Sequence, residues 1–278
     1  MLVYVGSGLG RNLKMLEEEK KMRKRWGIVG IALLVVLLGT AVSWAAAKVE
    51  LYVSAAASLK DAMLELEKPY EAKHPGVQLI FNFNSSGALQ TQIEQGAPAD
   101  LFYSAALKQM DNLDQKNLLK KGTRRNLLEN QIVMIVPKAA NSNLKDFKDL
   151  TQAAVQKIGI GAPESVPAGQ YALEAFKKLG IWDKIQDKVV YGTNVRAVLT
   201  YVETGNVDAG IVYRTDAAIS DKVKVVVAAP AGSTEPVIYP AAVLAGTKQP
   251  AEAADFLAYT SGPEGKAVFE KYGFVVIK

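Results

Sequence analysis

Hydroxyl and amide groups at four predicted strand-to-helix junctions are the chemically distinctive feature of this sequence. Ser58 follows three alanines at the end of one strand, and Ser85 with Ser86 follows the next strand. Small or polar residues open two further helices at 167–169 and 194–195. The first turn of a helix has backbone N–H groups without intrahelical acceptors, and such groups bind anions. Ser and Asn often cap helices without any ligand, but four such junctions together predict a site for a small anion.

The composition excludes much enzyme chemistry. The 278 residues include no Cys and a single His, so disulfides, thiol nucleophiles, thiolate zinc sites and multi-histidine metal sites are ruled out. His74, at a predicted helix end, is expected to be exposed, which leaves a serine hydrolase without a general base. Residues 1–47 carry seven Lys/Arg and three Glu, and the rest of the chain has a net charge of only +1. We therefore expect neither enzymatic activity nor nucleic-acid binding.

The N-terminal residues 1–47 have the layout of an extension followed by a secretory signal peptide. Basic residues precede an apolar run over 27–42, and small residues follow it. The run is shorter than the roughly 20 residues that a membrane-spanning helix needs. We predict cleavage near Ala46 or Ala47, which leaves a working chain that starts at about Lys48. An uncleaved tether is the alternative, and the lack of Cys excludes a lipoprotein anchor.

Strands and helices alternate along the rest of the chain, which predicts α/β layers with mostly parallel sheets. The predicted strands cover residues 49–56, 77–84, 99–105, 131–137, 157–163, 188–192, 208–213, 222–229 and 236–246. The predicted helices cover residues 58–73, 85–96, 106–118, 146–156, 169–180, 195–204, 214–220, 250–260 and 263–272.

Two of the apolar runs, 131–137 and 236–246, are candidates for crossovers between two lobes. This path predicts a discontinuous first lobe, residues 48–130 plus 231–278, and a continuous second lobe, residues 131–230. Ligands of open α/β sheets bind at the C-terminal ends of the strands. Two facing lobes would therefore place the site in the cleft between them.

Motifs along the chain resemble one family of transport proteins. They are AAASLKDAM (55–63), SSGALQTQIEQGAPADLFYSA (85–105), APESVPAGQYALEAFKKLGIW (162–182), NVRAVLTYVETGNVDAGIVYRTDA (194–217) and FLAYTSGPEGKAVFEKYGF (256–274). In this order and spacing they resemble the periplasmic molybdate-binding proteins of ABC importers. The resemblance implies a two-lobed periplasmic-binding-protein (Venus flytrap) fold and a periplasmic location. It also implies a monomer without a cofactor that delivers molybdate or tungstate to a membrane permease.

The resemblance further implies which residues hold the anion. In that family, hydroxyl and backbone N–H groups bind the oxygens of the oxyanion, so that no side chain coordinates the metal directly. The hydroxyls correspond to Ser58, Ser86 and Tyr213, and the N–H groups to Ala168 and Val195. Ser85 is an alternate ligand, because Gly87 stands where some members have a third serine.

Several alternatives stay open at this point. A cage of donors rejects protonated oxyanions, which would find no acceptor, so molybdate, tungstate and sulfate all fit. Sulfate or another oxyanion is therefore the first alternative. Iron(III) would need clustered anionic ligands, for which Tyr201 and Tyr213 are too few. An exported serine hydrolase and a membrane-tethered sensor belong to other classes.

Charged residues near the junctions are expected to have supporting roles. Arg196 and Arg214 follow two of the implied ligands, but consecutive residues on a helix or strand point in different directions. Asp100 and Asp208 precede strands and would repel an anion. We expect the two arginines to point away from the ligand and the two aspartates to fix loops.

Overall fold

The computed structural model describes Met15, residues 17–24 and residues 48–277. Residues 17–24 are helical, and no helix in the described part of the chain is long and apolar enough to cross a membrane. Apart from residues 22–24, the predicted signal peptide lies outside the described residues, and so does the predicted cleavage site.

Residues 48–277 alternate between strands and helices, as the apolar pattern predicts. The strands are β1 (Val49–Ala56), β2 (Val77–Asn84), β3 (Leu101–Tyr103), β4 (Arg125–Asn130), β5 (Ile132–Pro137), β6 (Ile158–Gly161), β7 (Val189–Gly192), β8 (Ala209–Tyr213), β9 (Val223–Ala228), β10 (Val237–Val243) and β11 (Val275–Val276). The helices are α1 (Lys60–Lys73), α2 (Ser86–Glu94), α3 (Leu107–Gln115), α4 (Pro167–Lys178), α5 (Trp182–Ile185), α6 (Val195–Glu203), α7 (Arg214–Ala218), α8 (Pro250–Ser261) and α9 (Pro263–Lys271).

The strands form two separate sheets. A six-stranded sheet has the order β11-β4-β10-β3-β1-β2, and a five-stranded sheet has the order β7-β6-β8-β5-β9. We call the six-stranded sheet with α1, α2, α3, α8 and α9 the first lobe. The five-stranded sheet with α4 to α7 is the second lobe. Two-lobed α/β architecture is therefore the observed fold.

Strand direction explains how the chain passes between the lobes. In the six-stranded sheet β1 to β4 run one way, whereas β10 and β11 run the other. In the five-stranded sheet only β5 is reversed. The strands are thus mostly parallel, but the two crossover strands, β5 and β10, pair antiparallel with both neighbours. The predicted lobe boundaries fall in the two connections, between β4 and β5 and between β9 and β10.

The apolar pattern decides which faces are buried. β5 reads IVMIVP and is buried along almost its whole length, which is typical of a central strand covered on both faces. In α6 the buried residues Val195, Val198, Leu199 and Val202 follow helical spacing and form one apolar stripe. These buried elements set where the strands end, and hence where the junctions lie.

Some predicted elements differ from the observed ones. The stretch 146–156 contains only a 3-10 turn, Phe147–Thr151, whose N-terminus Asp146 and Asp149 stabilise as a capping box. β4 was not predicted, since only Leu127 and Leu128 are buried in it and its backbone pairing with β10 and β11 is tertiary. The predicted strand 99–105 is shorter, Leu101–Tyr103.

Candidate functional site

The register of the parallel strands brings the predicted junctions together in pairs. Ala56 at the end of β1 pairs with Asn84 at the end of β2, so Ser58 and Ser86 leave the first lobe side by side. In the second lobe Gly161 pairs with Gly192. The segments that follow β6 and β7 open α4 and α6 next to each other. Each lobe therefore presents two helix N-termini at one edge of its sheet.

All five residues implied as ligands line one small cavity between the lobes. The cavity is narrow, with a volume of about 10 Å³. Its lining consists of Ala56, Ala57, Ser58, Asn84, Ser85, Ser86, Ala105, Val166, Pro167, Ala168, Asn194, Val195 and Tyr213. None of these side chains is charged. The cavity can therefore offer hydrogen bonds to a ligand but neither a counter-charge nor a carboxylate acceptor.

The two serines that follow β2 have different tasks. Ser85 is the N-cap of α2, and its Oγ accepts a hydrogen bond from Ala88 N at 3.3 Å. Ser86 is fully buried, and its Oγ accepts from Ala105 N at 2.9 Å. Because that contact uses a lone pair, the Ser86 hydroxyl keeps its proton for a ligand. Ser85 thus caps the helix, and the Ser86 hydroxyl is the better hydrogen-bond donor to a ligand in the cavity.

The second lobe supplies backbone N–H groups. Ala168 follows Pro167 in the first turn of α4, and Val195 follows Asn194, whose side chain caps α6 by accepting from Ala197 N at 3.0 Å. Within the described residues, neither Ala168 N nor Val195 N has a hydrogen-bond acceptor. Both groups line the cavity, where they can donate to an anion.

Two glycines let α4 begin directly against the end of β6. A Cβ on Gly169 would overlap the carbonyl oxygen of Gly161. The helix N-terminus therefore approaches the strand end more closely than any residue with a side chain would allow. This approach sets where Ala168 N lies.

Ser58 belongs to a hydrogen-bond network that the sequence did not reveal. Its Oγ lies 3.0 Å from the hydroxyl of buried Tyr239 on β10. Asn130, where the chain leaves the first lobe, donates from Nδ2 to that hydroxyl at 3.2 Å and to Thr215 Oγ1 at 2.8 Å. Since Tyr239 accepts from Asn130, its own proton is available to Ser58, and the Ser58 proton is then free for the cavity. The only signal in the sequence was a tyrosine inside the apolar run 236–246.

Tyr213 ends β8 with its side chain buried between the lobes. Its hydroxyl donates to Ala105 O of the first lobe over a long 3.4 Å, and its ring packs against Tyr239 at 5.6 Å between centroids. Burial raises the pKa of Tyr213 well above its usual value. The phenol therefore stays protonated and acts as a donor.

The charged residues next to the junctions lie outside the cavity lining, as expected. Arg196 contacts Asp61 and Asp216. Arg214 donates from Nε to Gln131 Oε1 at 2.8 Å.

The two aspartates that precede strands fix loops. Asp100 accepts from Tyr52 N at 2.8 Å, and Asp208 accepts from Gln156 N and Lys157 N at 2.7 and 2.8 Å.

The expected exposure of His74 is wrong. His74 is half-buried, stacked on the ring of Tyr70 at 4.2 Å and placed 3.4 Å from Asp255. It ends α1, whereas Ser58 precedes that helix, so about 20 Å separates the two at 1.5 Å per residue. Ser58 therefore lacks a histidine base. Within the described residues, no group of three or more His, Cys, Asp or Glu could hold a metal ion.

Residues 51–275 match the family described as bacterial extracellular solute-binding protein. The Bacillus subtilis (strain 168) protein YvgL, whose name places it among ABC transporter substrate-binding lipoproteins, is 48% identical over 227 residues, which cover 82% of this chain and 86% of YvgL. The molybdate-binding protein ModA of Haemophilus influenzae is 40% identical over 258 residues, which cover 92% of this chain and 98% of that protein.

Among solved structures, the periplasmic molybdate-binding protein of Azotobacter vinelandii superposes with a TM-score of 0.73 at 25% sequence identity. The match covers 82% of this chain and 100% of that chain. Its extent shows that the two-lobed architecture is shared over the whole of both lobes.

Proposed function

This chain belongs to the bacterial extracellular solute-binding protein family, and we propose that it captures molybdate or tungstate and delivers the anion to an ABC permease. The names of the relatives support this function, since the ModA protein of Haemophilus influenzae binds molybdate by name. The proposed ligands are the hydroxyls of Ser58, Ser86 and Tyr213 and the N–H groups of Ala168 and Val195. The protein acts as a monomeric receptor without a cofactor or a catalytic step.

One observation carries the proposal: five donors from both lobes converge on one cavity whose lining has no charge. With the N–H groups of Ser58 and Ser86, the cage offers seven donors. A hydrogen bond to a charged acceptor contributes about 1.5 kcal/mol, so seven sum to about 10 kcal/mol. This sum corresponds to a submicromolar Kd as long as the costs of association that it must also cover stay below about 2 kcal/mol.

The chemistry of the lining selects the protonation state of the ligand. Hydrogen phosphate carries a proton that must be donated, and a cage without a carboxylate leaves that proton unpaired. An unpaired buried polar group costs a large part of the binding free energy. Fully ionised molybdate, tungstate and sulfate satisfy the cage, and cavity size separates the smaller sulfate from the other two.

Closure of the lobes links capture to transport. The two connections between the sheets act as the hinge, with residues 48–130 plus 231–278 on one side and residues 131–230 on the other. Only the closed form joins the donors of both lobes around the anion and presents both lobes together to the permease.

We place the mature protein in the periplasm, after cleavage of the signal peptide near Ala46 or Ala47. YvgL is a lipoprotein by name, but this chain has no Cys to carry a lipid. N-terminal sequencing of the exported product tests this placement, and a mature chain that still contained residues 27–42 would contradict it.

Titration calorimetry on the chain from Lys48 tests the function. Molybdate and tungstate are expected to bind with submicromolar Kd, and hydrogen phosphate is expected not to bind. Equal affinity for sulfate would favour a general oxyanion receptor, and no binding of any oxyanion would refute the proposal. Tyr213→Phe is expected to weaken binding about tenfold by removing one donor. Tyr201→Phe is the matched control, because Tyr201 does not line the cavity.

A further inference from the structure

Arg196 makes an ionic contact from the second lobe to the first. It lies in the first turn of α6, and its Nη2 is 2.7 Å from Asp61 Oδ2 on α1. Its Nε is 2.6 Å from Asp216 Oδ1 on α7 of its own lobe. Neither carboxylate oxygen has the alignment of a hydrogen bond, so these contacts act through charge. Among the described residues, every other ion pair joins groups within one lobe.

The contact joins the two segments that supply proposed ligands. Arg196 directly follows Val195, and Asp61 lies one helical turn after Ser58. The same Nη2 is also 3.4 Å from the carbonyl oxygen of Ser58. The Arg196 guanidinium therefore contacts the turn that contains Ser58, and the backbone of Arg196 directly follows Val195. Any opening of the cleft must break the contact with Asp61.

Asp216 holds the side chain of Arg196 in position for its contact with Asp61. It is completely buried, whereas the side chains of Arg196 and Asp61 are 21% and 38% exposed. Because Asp216 and Arg196 belong to the same lobe, their pair does not depend on closure. Asp61 is then the partner that is gained when the lobes meet. The two carboxylates also balance the positive charge of Arg196 beside the cavity, so the anion still depends on neutral donors.

We propose that Arg196 and Asp61 form a latch that holds the closed state and so sets the affinity for the anion without touching it. This inference rests on the proposed function. The other polar contacts between the lobes are not ion pairs. In the cleft, Gly87 N donates to Ser165 O at 2.9 Å, Gln109 Nε2 lies 3.4 Å from Gln170 Oε1, and Tyr213 Oη donates to Ala105 O at 3.4 Å. Next to the β9–β10 connection, Glu174 and Lys178 contact only backbone groups of the first lobe. Within the described residues, the latch is therefore the ion pair that joins the two lobes.

The test compares Asp61→Asn with the wild-type chain from Lys48, using molybdate as the probe. Asp61→Asn is expected to raise Kd about tenfold, mainly through faster dissociation of molybdate. The Tm of the unliganded protein is expected to stay unchanged, because the contact forms on closure. Glu264→Gln is the matched control: it removes a surface ion pair of equal length, 2.7 Å to Lys73, that lies within the first lobe.

Two further measurements separate a latch from a local structural effect. The difference in Kd between the wild type and Asp61→Asn should shrink at 1 M NaCl, where the Debye length falls to about 3 Å. In a double-mutant cycle with Arg196→Gln, the second substitution should add little to the first. Additive effects, or equal Kd values for the wild type and Asp61→Asn, would overturn the latch while leaving the proposed function intact. Failure of the wild type to bind any oxyanion would overturn both.

Discussion

Substitution of Gly87 by Ala tests lobe closure, because it is expected to weaken molybdate binding without lowering the Tm of the unliganded protein. Gly87 is the second residue of α2, and its N–H donates to Ser165 O across the cleft at 2.9 Å. A Cβ at this position would lie 2.5 Å from that oxygen and 2.6 Å from Ser165 Cα. Ordinary van der Waals contact begins near 3.4 Å, so the lobes of Gly87→Ala must move apart by close to 1 Å.

The size of the effect follows from this displacement. Losing the interlobe hydrogen bond costs about 1 kcal/mol, and the displaced N-terminus of α4 weakens its donation to the anion by a similar amount. Together these losses raise the Kd for molybdate between about tenfold and thirtyfold. The stability of the first lobe itself is not expected to fall. Gly87 has no positive φ, and Ala favours a helix over Gly by up to about 1 kcal/mol.

Calorimetry and thermal unfolding measure the two effects separately. Gly87→Ala should bind molybdate more weakly, while its unliganded Tm should equal or exceed that of the wild type. Gly76→Ala is the control, since a Cβ at Gly76 meets nothing within 4 Å. Unchanged affinity in Gly87→Ala would refute the closed geometry of the site, and a lowered unliganded Tm would show that the clash disturbs the first lobe itself.

Three further predictions concern single groups. Ser86→Ala should raise the molybdate Kd at least tenfold in calorimetry, and it should lower the free energy of unfolding by about 1–3 kcal/mol in urea titrations, because Ala105 N loses its buried acceptor. Gly169→Ala should unfold at lower urea concentration than the wild type, since its Cβ would overlap the carbonyl of Gly161; an unchanged midpoint would contradict the close approach. Burial raises the pKa of Asp216 from 3.8 to about 6 against the opposing charge of Arg196. Folding therefore favours the protonated form of Asp216 relative to the unfolded chain, although the carboxylate is ionised at pH 7. The stability contribution that is present below pH 4 is lost as the pH rises through 6; urea midpoints at pH 5 and 7 should show this loss in the wild type and not in Asp216→Asn.

The junction residues could be predicted because their signal is local. Ser58, Ser86 and the openings of α4 and α6 follow recognisable strands, and parallel strands end at one edge of a sheet. Tyr213 was assigned as a ligand only through the resemblance to the molybdate-binding proteins. The cavity unites all these positions, although their roles as ligands stay predictions.

The supporting contacts could not be predicted, because they join residues far apart in the chain. Tyr239 reaches Ser58 only when β10 has entered the first sheet, and Asp61 meets Arg196 only when two lobes are in place. Arg196 was expected to point away from the ligand, and it lies outside the cavity lining, but no partner for it was predicted. β4 was missed for the same reason, since its polar sequence forms a strand through its neighbours' backbone groups.

The position of β10 has a consequence for the order in which the protein is made. β10 lies between β3 and β4 in the first sheet, but it is encoded after the whole of the second lobe. While the ribosome adds residues from the N-terminus, the second lobe can complete its sheet before the first lobe has its middle strand. The first lobe thus completes its sheet last, and a nascent chain that lacks residues 237–278 leaves β3 with an unpaired edge and β4 without a partner strand. The first lobe therefore completes its folding only when synthesis of the chain is nearly finished.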